Sequence, residues 1–162
     1  MEPQTTFSPQ SDQPLQADER STAMWMHLAP LIAMFVNMLI PIPLLSLITV
    51  GILYYTQKDK SAFIARHGKE SLNFQITLFL VGVVMFIVFA VVFGGSILGI
   101  ITGADNGDLS GVGAAGLVGG GLALGGVALL IGLGVAVLLI IAAMRANSGQ
   151  NYRYPVSLRL VK

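Results

Sequence analysis

The sequence contains no cysteine and few charged residues. None of its 162 residues is a cysteine, which excludes disulfide bonds, thiolate metal sites and a cysteine nucleophile. Charged residues make up 10% and hydrophobic residues 54%, whereas a soluble domain carries about 25% charged residues. The net charge of +1 gives no excess of Lys and Arg for a surface that binds nucleic acid. We therefore expect a small polytopic membrane protein with no nucleic-acid partner.

Two long uncharged runs predict membrane-spanning helices. The first begins at Leu72 and continues past Phe93 towards Ile101, and the second extends from Gly111 to Met144. Each is longer than the roughly 20 residues that an α-helix needs to cross a hydrocarbon core of about 30 Å. We expect membrane segments at residues 71–101 and 112–144, separated by a polar turn.

Prolines divide an earlier apolar region, residues 24–55. Pro41 and Pro43 remove backbone donors and clash with the preceding turn, so they predict the end of one helix and the start of the next. The two helices, at residues 24–39 and 43–57, would each be about 24 Å long, which is less than the hydrocarbon thickness. They form either a thin two-span hairpin or a re-entrant pair, and a single kinked span is the less favoured alternative.

The N-terminal tail, residues 1–23, is polar and contains Arg20 as its only base. It has too few apolar residues to offset the entropy of ordering, so we expect it to be disordered. Its acidic start and late apolar run do not fit a cleaved signal peptide. The helical membrane domain is therefore predicted to cover residues 24–162, with a short C-terminal tail at residues 145–162.

Basic residues predict the orientation in the membrane. Four lie between Gln57 and Glu70 and four in residues 145–162, but none lies in residues 102–110. Because cytoplasmic loops are enriched in Lys and Arg, the first two regions are assigned to the cytoplasm and the third to the opposite side. We expect an all-α fold with four membrane segments in the cytoplasmic membrane and both termini in the cytoplasm. A single kinked first span would place the N-terminus outside.

Two motifs resemble a known family. They are KDKSAF followed by HGKESLNFQ, at residues 58–63 and 67–75, and RANSGQNYRYP, at residues 145–155. Together they resemble the Tic-twenty-like family, whose namesake is a subunit of the chloroplast inner-envelope import translocon. The resemblance covers residues 24–162, and it implies a four-helix membrane domain with a weak link to protein translocation.

Polar residues near the predicted membrane surface are candidates for interaction or structural roles. They are Arg66, His67, Glu70, Asn73, Gln75, Arg145, Asn147, Tyr152 and Tyr154. A histidine at a membrane surface is more often a polar spacer than a ligand, and no further ligand stands at metal spacing, so we expect neither a metal nor a cofactor. Asn73 and Gln75 are expected to bond within the helix bundle. Ser61 is expected to cap the helix that follows it.

The C-terminal tail alternates in polarity with a period of two. Val156, Leu158 and Leu160 alternate with Ser157 and Arg159. This pattern predicts an extended segment that lies on the membrane or on the loop expected at residues 57–70, with partner binding the less favoured interpretation.

Small residues on the last segment share one helical face. They are Gly121, Gly125, Ala128, Gly132 and Ala136, which span about 80° at about 100° per residue. A phosphate-binding loop is not indicated, because the Gly-Lys-Ser/Thr ending is missing. We expect this face to allow close helix packing, within the chain or between copies.

These features favour a structural or interaction protein over an enzyme. A membrane enzyme needs acid, base or nucleophile residues gathered at one depth, and the sequence offers them in one short loop only. We expect a protein that assists translocation or membrane assembly, with membrane lipids, a second copy or other membrane proteins as partners. The alternative is a small oligomeric transporter or channel, although His27 is the one ionisable group in the longest apolar stretches.

Overall fold

The computed structural model describes residues 15–42, 44–105 and 111–162. Its four helices are α1 (Ala17–Leu39), α2 (Leu45–Gln57), α3 (Ala62–Asp105) and α4 (Gly111–Asn147). An irregular C-terminal segment, residues 150–162, follows α4. Three of the helices, all but α2, are long and apolar enough to cross a membrane. The expectation of an all-α fold is thus confirmed, and no strand occurs in the described ranges.

Helix α1 begins earlier than expected. Residues 17–23 were assigned to a disordered tail, but they form the first turns of the helix. Gln16 donates its backbone N–H to the Glu19 carboxylate at 3.0 Å, and Asp18 adds a second negative charge to the first turn. Both features stabilise a helix N-terminus, the second through the helix dipole. The remainder of the predicted tail, residues 1–14, lies outside the described residues.

The turn between α1 and α2 lies where the prolines predict it. Ile40 donates its N–H to the Val36 carbonyl at 2.9 Å, and Ile42 donates to Oδ1 of Asn37 at 2.8 Å. Pro41 has no N–H to satisfy. Leu44 has a φ of 63°, which turns the chain into α2. The exposed turn therefore leaves few backbone donors unpaired, although it is built almost entirely of apolar residues.

Helix α3 is longer than the predicted membrane segment. It contains 44 residues and is therefore about 66 Å long at about 1.5 Å per residue. Its start is fixed by Ser61, whose Oγ accepts the N–H of Ile64 at 3.2 Å, so the expected N-cap is present. Residues 62–70, expected as a loop, are helical as a result. Helix α4 ends close to the predicted boundary, where Gly149 adopts a φ of 73°.

The four helices pack together over one half of the molecule only. We call this half the basal bundle: α1, α2, α3 up to residue 85, α4 from residue 128, and the C-terminal segment. The buried faces of α1 and α4 repeat at the helical period. They consist of Ala23, Met26, His27, Pro30 and Ala33 on α1 and of Val135, Leu139, Ala142, Ala143 and Ala146 on α4.

The other half is a two-helix arm, which we call the distal hairpin: α3 residues 86–105 and α4 residues 111–127. Here the two helices touch through glycines. A Cβ at Gly113 would lie 2.9 Å from the Ile100 nitrogen and 2.9 Å from the Ser96 carbonyl oxygen. Gly116 and Gly120 approach the side chains of Ser96 and Val92 in the same way. Close contact between the two helices therefore depends on glycine at these positions.

Candidate functional site: a buried histidine–tyrosine cluster

Three polar side chains form a hydrogen-bonded chain inside the basal bundle. Nδ1 of His27 lies 2.8 Å from the Tyr154 hydroxyl, and Nε2 of His27 lies 2.9 Å from Nδ1 of His67. All three side chains are at most 1% exposed. The chain connects α1, α3 and the C-terminal segment, which are far apart in the sequence.

A neutral imidazole donates from one nitrogen and accepts at the other, so both hydrogen bonds must run in the same direction. The proton order is either Tyr154 to His27 to His67 or the reverse. Chemically, such a chain can relay a proton or lock three elements together. Nε2 of His67 is buried and makes no hydrogen bond within the described ranges, although the Gln150 backbone lies close to the His67 side chain.

Aromatic contacts hold this cluster in place. The Phe74 ring stacks on Tyr154 with centroids 4.0 Å apart and an interplanar angle of 2°. Phe63 packs against the His67 ring at 4.5 Å. Gly68 follows His67 because α3 lies against the Tyr54 ring at this point, where a Cβ would come within 2.6 Å of Cδ2. The His-Gly pair is therefore a packing requirement at the crossing of α2 and α3.

A proline on α1 explains a further buried contact. Pro30 has no N–H, so the carbonyl of Met26, four residues earlier, loses its usual helical donor. The Ser71 hydroxyl donates to that carbonyl at 2.6 Å, and Ser71 is fully buried. A side chain of α3 thus replaces the backbone hydrogen bond that α1 lacks.

Asn73 and Thr77 bind the backbone of the C-terminal segment. Oδ1 of Asn73 accepts the N–H groups of Leu160 and Val161 at 3.0 and 2.7 Å, and its Nδ2 donates to the Val161 carbonyl at 3.0 Å. The Leu158 N–H donates to the Thr77 hydroxyl at 2.8 Å. The C-terminal segment is therefore docked on α3 through main-chain groups, and the extended conformation expected from the alternating pattern stays a prediction.

Glu70 lies at the edge of the cluster. Its Oε1 is 3.9 Å from Nε of Arg159, and its Oε2 is buried without a hydrogen bond within the described ranges, as is Oγ of Ser157. Burial raises the pKa of the Tyr154 phenol far above its usual range, and Tyr152 and Glu70 add to this rise. Burial also raises the pKa of Tyr152, which Arg145 partly opposes. Tyr154 is therefore a neutral phenol over the physiological range.

The structure gathers most of the polar candidates of the sequence. His67, Glu70, Asn73, Tyr152 and Tyr154 lie in or next to the cluster. Gln75 is buried apart from it and lines a cavity of about 260 Å³ between the helices, together with the side chains of Asn37 and Ser46. The remaining candidates are on the surface and outside the cluster: Arg66, Arg145 and Asn147.

Sequence reasoning missed His27, Ser71 and Thr77. One available signal was that an ionisable residue within an apolar run requires a partner, which points from His27 to another polar group in the bundle. A second signal was the position of Pro30 four residues after Met26, which predicts a carbonyl in need of a donor. Within the described ranges, no group of three His, Cys, Asp or Glu residues is arranged to hold a metal ion.

The small-residue face predicted for α4 does not pack within the chain as expected. A Cβ at Gly125 or Gly132 would meet nothing within 4 Å, and Ala128 is exposed. At Gly121 a Cβ would only make ordinary contact with Phe93 at 3.5 Å, and Ala136 is half-buried. Helical periodicity identifies residues on one face correctly, but it does not say which face the neighbouring helix covers. The close approach occurs at Gly113, Gly116 and Gly120 instead.

One family model matches this chain. It is described as the magnetosome magnetite crystal formation protein family, and it matches residues 18–161. No curated protein and no solved structure matches the chain. The resemblance to the Tic-twenty-like family is therefore wrong: short polar motifs near a membrane surface arise in unrelated families, whereas this match extends over almost the whole chain.

Proposed function

The chain belongs to the magnetosome magnetite crystal formation protein family, and we propose that it is an integral protein of the magnetosome membrane with a structural role in crystal formation. The observation that carries the proposal is the family match over residues 18–161, which includes the basal bundle and the distal hairpin. The long apolar helices support residence in a membrane. Translocation and transport have no support in the family match, and we do not retain them.

We propose that only α3 and α4 cross the bilayer completely. The charged groups of Glu70 and Arg159 lie together beside α3 close to Asn73, so we place the start of the hydrocarbon core beyond them, near Leu78. From Leu78 to Ile101, α3 is uncharged and about 36 Å long at about 1.5 Å per residue. This length suits a hydrocarbon core of about 30 Å crossed at a modest tilt.

Helix α4 fits the same placement. Val135 of α4 lies at the level of Leu78, and Gly113 lies at the level of Ile100. The interval between Gly113 and Val135 is about 34 Å at about 1.5 Å per residue, which agrees with the length obtained for α3. Both helices therefore have an uncharged stretch of matching length between the same two levels.

The α1–α2 pair is proposed to be re-entrant. Met34 packs at the level of Leu78, so the turn at Ile40, six residues further on, lies about 9 Å inside the hydrocarbon at about 1.5 Å per residue. The exposed apolar turn tolerates this environment because Asn37 and Val36 satisfy backbone donors that lipid cannot. Both ends of the pair then lie on the same side of the membrane.

The orientation follows from the basic residues. Those on the basal side are Arg20, Lys58, Lys60, Arg66, Lys69, Arg145, Arg153, Arg159 and Lys162. The positive-inside rule assigns this side to the cytoplasm, which directs the distal hairpin towards the compartment in which the crystal forms. The buried cluster serves to fix the basal bundle, and we propose no catalytic step for it.

Cells that form magnetosomes and encode this chain provide the test of the functional proposal. The gene is deleted and then restored, and crystal size and shape are measured by electron microscopy, while antibody detection follows the protein in purified magnetosome membranes. We expect enrichment in these membranes and altered crystals in the deletion strain, with recovery on restoration. Unchanged crystals, or exclusion of the protein from magnetosome membranes, would overturn the proposal.

Topology has a separate test because the natural sequence lacks cysteine. Single cysteines at Asp59, Lys162 and Asn106 are treated with a membrane-impermeant maleimide in sealed vesicles. The first two are expected to react from the same side, and the third from the opposite side. Labelling of all three from one side would contradict the proposed crossing of α3 and α4.

A further inference from the structure

The two ends of the molecule differ in cross-section. In the basal bundle four helices lie side by side, whereas the distal hairpin contains only α3 and α4. A helix with side chains is about 10–12 Å wide, so two additional helices occupy roughly 200 Å². With the re-entrant topology proposed above, on which this inference rests, that additional area lies in one leaflet.

The part of α1–α2 that enters this leaflet presents side chains to lipid. Met38, Leu39 and Ile40 are 78%, 85% and 59% exposed, and the nearest charged residues of the sequence, Arg20 and Lys58, stand at the far ends of α1 and α2. The turn reaches about 9 Å at about 1.5 Å per residue beyond Met34, which is less than one leaflet of a core about 30 Å thick. It therefore acts as a shallow apolar wedge in the basal leaflet only.

We propose that the chain binds preferentially to strongly curved bilayers, with the basal bundle on the convex leaflet. In a curved bilayer the convex leaflet is expanded near the headgroups, and this is where the four helices of the basal bundle need room. The opposite leaflet is compressed, and only two helices pass through it. Insertion of apolar surface into one leaflet is sensitive to curvature for this reason. The exposed apolar turn thus contacts the acyl chains of a small vesicle or a narrow tubule.

The test uses pure lipid vesicles and the complete chain. A single cysteine replaces Lys162 and is labelled with an impermeant fluorescent maleimide, so that only molecules with the basal bundle outward are observed. The protein is reconstituted into phosphatidylcholine vesicles containing some phosphatidylserine, with diameters from about 50 to about 400 nm. We expect at least about twofold more dye per lipid area on the smallest vesicles than on the largest.

Two triple variants locate the source of the preference. Met38→Ser, Leu39→Ser and Ile40→Ser together should abolish the size dependence, because the wedge loses its apolar surface. The control changes three equally exposed residues of the spanning helices, Val91→Ser, Leu122→Ser and Leu130→Ser, and should retain it. Leu39→Ser alone, which alters the most exposed of the three turn residues, should give an intermediate value even if the triple variant does not fold.

Equal dye density on all vesicle sizes would overturn the inference, as would a turn variant that retains the preference. The vesicles contain no mineral and no other magnetosome component. A failure of the crystal-formation proposal would therefore leave this result unchanged, and a flat size dependence would leave the crystal experiment unaffected.

Discussion

Replacing Ser71 by alanine tests whether its hydroxyl compensates for the hydrogen bond that Pro30 removes from α1. The Ser71 hydroxyl donates to the Met26 carbonyl at 2.6 Å in a site with no solvent exposure. Leaving a buried carbonyl without its donor costs about 1–3 kcal/mol. We therefore expect Ser71→Ala to lower the free energy of unfolding by about that amount.

The decisive comparison is the same substitution in a Pro30→Ala background. Alanine at this position supplies the N–H that can donate to the Met26 carbonyl, so the carbonyl keeps a partner when the hydroxyl is removed. Ser71→Ala should then cost less than about 1 kcal/mol, which corresponds to a coupling of about 1–2 kcal/mol between the two sites. Ser148→Ala is the control, because this exposed hydroxyl also donates to a helical carbonyl, that of Met144, at 3.0 Å.

Unfolding is followed in mixed micelles by titration with sodium dodecyl sulfate. The single tryptophan, Trp25, adjoins Met26 in sequence and reports on α1 through its fluorescence. Ser148→Ala should change the free energy of unfolding by less than about 0.5 kcal/mol. An equal cost of Ser71→Ala with and without Pro30, or a cost as small as that of the control, would refute the reasoning.

Three further predictions address the C-terminal segment and the distal hairpin. Because burial raises the pKa of Tyr154, the neutral phenol contributes stability that is complete below the unfolded pKa of about 10 and is lost as the pH rises above it. Tyr154→Phe should therefore lose less unfolding free energy than the natural chain between about pH 9 and pH 11, and an equal loss would contradict this assignment. Asn73→Leu removes three hydrogen bonds to the C-terminal segment, each worth about 1 kcal/mol. The segment should then detach more often, so tryptic cleavage at Arg159 should be faster, and an unchanged cleavage rate would contradict this. Gly113→Ala should lower thermal stability in detergent, because its Cβ would meet backbone atoms at 2.9 Å. Gly125→Ala is the control: its Cβ would meet nothing within 4 Å, so the change should be neutral or stabilising by up to about 1 kcal/mol. Equal losses of stability in the two variants would contradict the packing.

Local features of the fold were predictable from the sequence. Pro41 sets the end of α1 and Ser61 sets the start of α3, because each depends on the chemistry of a few neighbouring residues. The start of α1 was missed because residues 17–23 are polar, although Glu19 carried a capping signal.

Contacts between distant residues were not predictable in the same way. His27 and His67 are 40 residues apart, and their pairing depends on how α1 crosses α3. Likewise, Gly125 and Gly113 have the same chemistry, but only at Gly113 would a Cβ meet atoms of α3. Sequence patterns identify faces and breaks, whereas the partner of each face is decided by the tertiary packing.

The central claim is that α3 and α4 alone cross the bilayer while α1 and α2 enter from the basal side. A nitroxide spin label at Ile40→Cys measures this directly through its collisions with oxygen and with a water-soluble nickel chelate. We predict high oxygen access, low nickel access and the same depth as a label at Val84→Cys, which lies at the same level by the helical rise of about 1.5 Å per residue. Nickel access at Ile40→Cys as high as that of a label at Asn106→Cys would place the turn in water and contradict the claim.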